Sequence, residues 1–106
     1  MIPKGNSYHV TFIDVEHGDS SIIWNEKRTE SIIIDGGGKG NNTKDVGTYN
    51  VFPCIKYLGI RKINYAIVTH TDRDHIKGII ELCDLIDIDN VILKKYLKID
   101  YLILDL

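Results

Sequence analysis

The sequence predicts an α/β domain, because β-branched apolar runs alternate with stretches of helical periodicity. Strands are predicted at residues 8–15, 20–24, 30–35, 65–69 and 91–93. Helices are predicted at 50–58 and 75–85, where apolar residues recur at helical spacing. A chain of 106 residues has room for one core. We therefore expect one domain over residues 1–106, with a loose N-terminus at 1–7 and an irregular or edge-strand tail at 95–106.

The composition is that of a globular protein, with 43% hydrophobic and 26% charged residues. The formal net charge of −2 argues against broad electrostatic binding to nucleic acid but leaves local contacts open. The N-terminus lacks the apolar region of a signal peptide, and no run reaches the roughly 20 apolar residues of a membrane helix. We therefore expect a cytoplasmic protein with no membrane partner.

The first three predicted strands frame two turns. His9 lies on the first strand, where a surface or half-buried position is expected rather than a metal ligand. The turn at 16–19 contains His17, a minor candidate for contacting substrate. The third strand ends at Asp35, which begins a glycine-rich turn and has an Asx-turn as its structural interpretation. The loop at 36–49 fails the phosphate-loop pattern and is a candidate substrate-facing flap.

The helices are predicted from their apolar stripes. Asn50 is the expected cap of the first helix, with Pro53 in its first turn and Gly59 as its terminator. Gly78 would let the second helix approach a neighbour closely. The first stripe is Val51, Cys54, Ile55 and Leu58; the second is Ile76, Ile79, Ile80 and Cys83, with Lys77, Glu81 and Asp84 outward. Both cysteines are therefore expected to be buried hydrophobes rather than a disulfide.

Four potential metal ligands fall within six residues after the fourth strand: His70, Asp72, Asp74 and His75. Open α/β sheets bind ligands at the carboxyl ends of their strands. Imidazole and carboxylate together suit zinc, manganese or iron. Two such ions can share a water and lower its pKa, which supplies a hydroxide nucleophile. The alternative interpretation is a charged helix N-terminus, with Asp72 or Asp74 as its cap.

Three stretches carry a resemblance to a known family. The run His70-x-Asp72-x-Asp74-His75 resembles the His-x-His-x-Asp-His signature of the metallo-β-lactamase superfamily, and its Asp72 is similar to the ComEC-like, competence-related branch. Residues 12–20 resemble that branch's F-L-D-V-G-Q-G-D-S, with Glu16 and His17 in place of Gly-Gln. Residues 32–37 resemble its I-D-x-G turn. The resemblance covers about residues 8 to 94.

The resemblance implies the first half of an αββα sandwich, a mixed sheet with helices on one face. It implies a hydrolase in which metal-activated hydroxide attacks a phosphodiester or another ester or amide bond of a small molecule or nucleic acid. His70, Asp72, Asp74 and His75 would bind two divalent ions, zinc or else manganese or iron. Asp74 is also the candidate catalytic residue, and Asp35 would orient the metal loop by hydrogen bonding.

The ligand set of this chain is short. Members of the family add a later histidine, a bridging aspartate and a final histidine, whereas no histidine follows His75 here. A catalytic zinc ion needs three protein ligands, and each site has two. We therefore expect a truncated domain with weak or partial metal binding, and its activity as an enzyme stays open. A second polypeptide or self-association could complete the fold.

Two other functions stay open from the sequence. The chain could be a non-catalytic fragment or interaction module that pairs through an open sheet edge. The lowest-ranked alternative is a binder of small molecules or nucleic acid through the loop at 36–49.

Overall fold

Within residues 7–16, 18–37, 45–69 and 73–93, which the computed structural model describes, five strands form one mixed sheet. The strands are β1 (Tyr8–Phe12), β2 (Ser20–Asn25), β3 (Ser31–Gly36), β4 (Lys62–Val68) and β5 (Asp87–Leu93), and their spatial order is the chain order. β1, β2 and β3 pair antiparallel, whereas β3, β4 and β5 pair parallel. The predicted α/β class and mixed sheet are confirmed.

Helical segments form both parallel crossovers. A π-helical turn (Gly47–Val51) runs into α1 (Phe52–Tyr57) between β3 and β4, and α2 (Arg73–Cys83) joins β4 to β5. Parallel neighbours require such connections, because a tight hairpin cannot return the chain in the same direction. The predicted tail at 95–106 and residues 38–44 of the predicted flap at 36–49 lie outside the described residues.

The hydrophobic core lies on one face of the sheet. Ile22, Ile33 and Ala66 are neighbours across β2, β3 and β4, and all three are fully buried. The helical side chains in the same core are Val51, Ile55, Ile79 and Leu82. Helices therefore cover one face, as the resemblance implied.

The parallel strands begin earlier than the sequence predicted. β4 starts at Lys62 and β5 at Asp87, although residues 87–90 look like a polar connection. The Lys62 ammonium and the Asp89 carboxylate are 3.2 Å apart across the two strands. Charged side chains are tolerated on β5 because it is an edge strand with exposed positions.

The π-helical turn corrects the predicted start of the first helix. Asn50 lies inside that turn and donates from Nδ2 to the Asp14 carbonyl at 3.1 Å, so it is not the cap. Pro53 does lie in the first turn of α1, as predicted. Gly59 follows the C-cap with a φ of +79°, which confirms it as the terminator.

The hairpin between β2 and β3 is tied to α1 through Arg28. Its guanidinium lies 5.0 Å from the centroid of the Trp24 ring, and its Nε donates to the Leu58 carbonyl at 2.8 Å. His9 stacks on the same indole with ring centroids 4.5 Å apart. His9 is therefore half-buried in the fold, as predicted, and Arg28 links the Trp24 ring to the C-terminal end of α1.

Glycine contact sets the rotation of α2. A Cβ on Gly78 would lie 2.0 Å from the Gly36 carbonyl oxygen, so the helix backbone touches the end of β3. This contact turns Ile79 and Leu82 into the core. The predicted stripe is confirmed at Ile79, but Ile80 and Cys83 are exposed, so the stripe is wrong at these two positions. The side chain of Ile76, the fourth member, lies outside the described part of the structure. Cys54 is half-buried, and both cysteines are free thiols.

Glu81 joins α2 to the π-helical turn. It is half-buried rather than outward, and its Oε1 accepts a hydrogen bond from the Gly47 N–H at 2.8 Å. Burial raises the pKa of Glu81, and the hydrogen bond and negative charge of Asp45 add to the rise. The Gly47 N–H and the Lys77 ammonium oppose it. Ionisation of Glu81 is therefore less favourable in the folded protein than in the unfolded chain.

Gly78→Ala should destabilise the fold by about 3 kcal/mol, the upper range for overpacking, because backbone atoms cannot move aside as a side chain can. Helix propensity alone predicts the opposite sign, a gain of about 1 kcal/mol. Urea unfolding measures the difference, with exposed Cys83→Ala on the same helix as the control. A Gly78→Ala protein as stable as the parent would contradict the close contact.

Glu81→Gln should stabilise the protein near neutral pH and flatten its pH dependence. A raised folded pKa means that the folded state binds the proton more tightly than the unfolded state does. The parent's stability should therefore fall as pH rises from about the ordinary carboxyl value of 4.5 through the raised value.

The matched variant Glu81→Ala removes the acceptor of the Gly47 N–H, which Gln keeps. Thermal melts across a pH series should therefore give, at neutral pH, the highest melting temperature for Glu81→Gln, the next for the parent and the lowest for Glu81→Ala. If Gln and Ala behaved alike, the hydrogen bond to Gly47 would have no energetic role.

Candidate metal centre

The parallel pairing of β3 with β4 brings two strand ends to one edge of the sheet. Ile32, Ile33 and Ile34 are paired with Tyr65, Ala66 and Ile67. The carboxyl ends of both strands therefore lie side by side, with Asp35 on one and Thr69 directly after the other. This edge is where an open α/β sheet binds its ligands.

Asp35 accepts two hydrogen bonds from Thr69. Its Oδ1 accepts from the Thr69 N–H at 2.8 Å, and its Oδ2 accepts from the Thr69 hydroxyl at 2.5 Å. The carboxylate is only 4% exposed, so water competes little for these bonds. Asp35 has a φ of +59°, a left-handed conformation that aspartate tolerates better than most residues.

The turn after Asp35 is fixed by close contacts on two sides. A Cβ on Gly37 would lie 2.5 Å from Val15, and Gly37 itself has a φ of +68°. The Gly37 carbonyl accepts a hydrogen bond from the Gly78 N–H at 3.2 Å. The turn after β1, the turn after β3 and α2 are therefore held together at the edge that carries Asp35.

The predicted ligand run follows Thr69 directly in the chain. His70 and Asp72 fall outside the described residues. Asp74 and His75 lie by their backbone in the first turn of α2, and the structure describes no more of them. Residues 70–72 thus connect Thr69, hydrogen-bonded to Asp35, to a helix packed on Gly36. Both ends of the predicted metal loop are fixed.

A donor set of two imidazoles and two carboxylates suits divalent metals. Among the side chains that the structure describes, no group of three or more His, Cys, Asp or Glu is placed to hold a metal ion. The roles of His70, Asp72, Asp74 and His75 as ligands stay predictions.

An acidic cleft adjoins this edge. It has a volume of about 350 Å³ and is lined by the turn between β1 and β2, including Asp14, Glu16 and Asp19. Ser20 also lines it, and among the described residues its buried hydroxyl has no hydrogen-bond partner. Val15 lines the cleft and contacts Gly37, so the cleft lies beside the turn that follows Asp35.

A second, larger hollow of about 420 Å³ lies elsewhere, between α1 and the connection from α2 to β5. Lys56 and Arg61 line it together with Asp84 and Asp87. These residues lie near the amino ends of β4 and β5, the opposite edge from Asp35 and Thr69. Size alone would favour this hollow, but the predicted ligand run begins directly after Thr69, at the edge that carries Asp35.

Comparison with family models matches residues 13–99 to the metallo-beta-lactamase superfamily. The chain belongs to the metallo-beta-lactamase superfamily. The match includes the strand end at Asp35 and the whole stretch from His70 to His75. This superfamily membership gives the chain a lineage of metal-dependent hydrolases. Comparison with curated proteins found no match.

None of the helices in the described part of the chain is long and apolar enough to cross a membrane.

Sequence reasoning missed two features of this superfamily site. Thr69 was not identified as the donor of both bonds to Asp35, although a threonine directly after a buried strand and before His70 is a visible signal. The contact of Gly36 with Gly78 was only half anticipated, because one glycine indicates a close approach without naming the partner.

Asp35→Ala should destabilise the fold by about 2–5 kcal/mol. About 1–3 kcal/mol comes from leaving the Thr69 N–H without its acceptor, and about 1–2 kcal/mol from placing alanine at a left-handed φ. Asp35→Asn should cost only about 1 kcal/mol, since an amide oxygen can accept from the N–H and asparagine tolerates this φ.

Urea unfolding of both variants measures these losses of stability. Thr69→Val is the control, because it removes only the hydroxyl group. Equal losses for Asp35→Ala and Asp35→Asn would mean that the hydrogen bonds to Thr69 contribute little.

Proposed function

We propose that this chain is a metal-dependent hydrolase of the ComEC-like branch, acting on a phosphodiester or another ester or amide bond. The observation that carries the proposal is the pair of hydrogen bonds from Thr69 to Asp35, at the start of the predicted ligand run. Superfamily membership supplies the lineage of the chemistry. The substrate is a small molecule or a nucleic acid.

Each residue of the site has a proposed role. Two divalent ions would be held by His70, Asp72, Asp74 and His75. Asp74 is also the proposed catalytic residue. When bound, such ions generate a nucleophile from water near neutral pH and polarise the bond to be cleaved. Asp35 fixes the backbone and hydroxyl of Thr69, so it positions the loop that carries the first ligand.

The turn after β1 supports the branch. Glu16 has a φ of +68°, a conformation that glycine adopts without strain. Glycine is the residue that the branch motif has at this position, so the backbone follows the motif where the side chain departs from it. Asp72 in place of a histidine supports the same branch and makes the first site richer in oxygen ligands.

The ligand count predicts weak metal binding by this chain alone. Two protein ligands for each ion fall short of the three that a catalytic zinc ion needs, and no histidine follows His75. We therefore propose that ligands from outside residues 1–106 complete the site.

Zinc or manganese titration of residues 1–106 by calorimetry should show fewer than two ions per chain, easily removed by a chelator. His70→Ala should lower the affinity at least about tenfold, and Asp35→Asn should lower it by about tenfold through loss of loop orientation. His9→Gln is the matched control, because His9 stacks on Trp24 away from the loop.

The same preparations should be assayed for metal-dependent hydrolysis of bis(p-nitrophenyl) phosphate. Tight binding of two ions would overturn the incomplete ligand set. Binding that His70→Ala leaves unchanged would overturn the metal centre itself.

A second candidate, a non-catalytic interaction module, is favoured by one observation: the exposed side chains of β1 and β4 include Val10, Phe12 and Tyr65. Metal content separates the two functions. A module that never binds metal would keep the fold and the exposed apolar surface but not the hydrolase chemistry.

A further inference from the structure

The acidic cleft at the turn between β1 and β2 carries charge of one sign. Asp14, Glu16 and Asp19 line it, and all three are exposed. None of the described residues that line the cleft is a lysine or an arginine. A cleft lined by charge of one sign concentrates ligands of the opposite sign. The acidic cleft therefore favours a positively charged ligand.

Ser20 supplies an independent observation at the same place. This residue lines the cleft, is only 5% exposed, and its Oγ has no hydrogen-bond partner among the described residues. Buried polar groups are almost always paired, because an unpaired one costs stability. A ligand in the cleft that donates a hydrogen bond to the Ser20 Oγ would remove this cost.

A second unpaired oxygen adjoins the same turn. The Nδ2 of Asn50 donates to the Asp14 carbonyl at 3.1 Å, whereas its Oδ1 is buried and has no partner in the described part of the chain. An amide oxygen and a hydroxyl oxygen both accept hydrogen bonds from N–H groups. Hydrogen-bond donors are therefore what this turn lacks.

The cleft does not suit a metal ion. Although three carboxylates line it, no group of three or more His, Cys, Asp or Glu among the described side chains is placed to hold a metal. Its volume of about 350 Å³ is that of a small-molecule site. The buried residues Ile13 and Val15 also line it, so an alkyl chain would find apolar contacts there.

We propose that the acidic cleft binds an aliphatic polyamine through its protonated amino groups. Ammonium groups spaced along a chain match carboxylates that do not converge on one point. The alkyl segments contact Ile13 and Val15, and one N–H donates to the Oγ of Ser20. This binding needs no metal ion, so it stands apart from the proposed hydrolase function.

Calorimetric titration of residues 1–106 with spermidine tests the proposal. The protein is first stripped with a chelator and returned to chelator-free buffer, so that the predicted metal centre takes no part. One spermidine should bind per chain at low ionic strength, and added salt should weaken the binding by screening the charges. Asp14→Asn and Asp19→Asn should each raise the dissociation constant about threefold.

Ser20→Ala isolates the hydrogen bond to the hydroxyl. It should raise the dissociation constant for spermidine about fivefold. A fully methylated analogue, whose quaternary nitrogens have no N–H, should bind Ser20→Ala and the parent equally well. Thermal melts of the free proteins give a second readout. Ser20→Ala should melt no lower than the parent, because it removes an unpaired hydroxyl rather than a hydrogen bond.

Asp84→Asn is the matched control. Asp84 is an exposed carboxylate that lines the other hollow, so its loss should leave the dissociation constant unchanged. Nα-acetyl-lysine amide distinguishes a free polyamine from a lysine side chain of a partner protein. With a single ammonium group, it should bind at least about tenfold more weakly than spermidine.

Four results would overturn the proposal. Spermidine could show no saturable binding at low ionic strength. Asp84→Asn could weaken binding as much as Asp14→Asn, which would indicate non-specific attraction. Ser20→Ala could lower the melting temperature, or weaken the methylated analogue as much as spermidine, which would mean that no ligand N–H reaches its Oγ. The lysine analogue could bind more tightly than spermidine, which would assign the cleft to a protein partner.

Discussion

The parallel pairing of β3 with β4 is the constraint on which the site depends. Parallel neighbours must be joined by a crossover, and their carboxyl ends must lie at the same edge. The first requirement places the helical segments on one face. The second brings Asp35 within hydrogen-bonding distance of Thr69. Architecture and chemistry therefore follow from the same strand pairing.

Asp35 shows how a buried carboxylate can hold the backbone at the end of a neighbouring strand. Both of its oxygens accept hydrogen bonds from one residue, Thr69, whose backbone leads directly into the ligand run. A buried, doubly bonded carboxylate holds its partner more firmly than an exposed one, because little water competes for the donors. The superfamily's metal chemistry needs ligands held in place, and this contact supplies one fixed end.

The sequence predicted the mixed α/β sheet, the apolar stripe of α1 and the terminator Gly59, because these depend on local propensity and periodicity. It predicted only part of the buried face of α2, since periodicity records which residues are apolar but not how closely two backbones approach. Gly78 on Gly36 rotates the helix, so that Leu82 is buried and Cys83 exposed. The early start of β5 was missed because an edge strand accepts the charges of Asp87 and Asp89.

The glycine contacts have a consequence for how this protein can vary. When two side chains clash, trimming either one relieves the overlap, so a damaging change at one position can be rescued at the other. At Gly36 and Gly78 the nearest atoms are all backbone, which no substitution can shorten. These two positions therefore lack second-site suppressors at their contact partners, and each must stay glycine whatever residue its partner position carries.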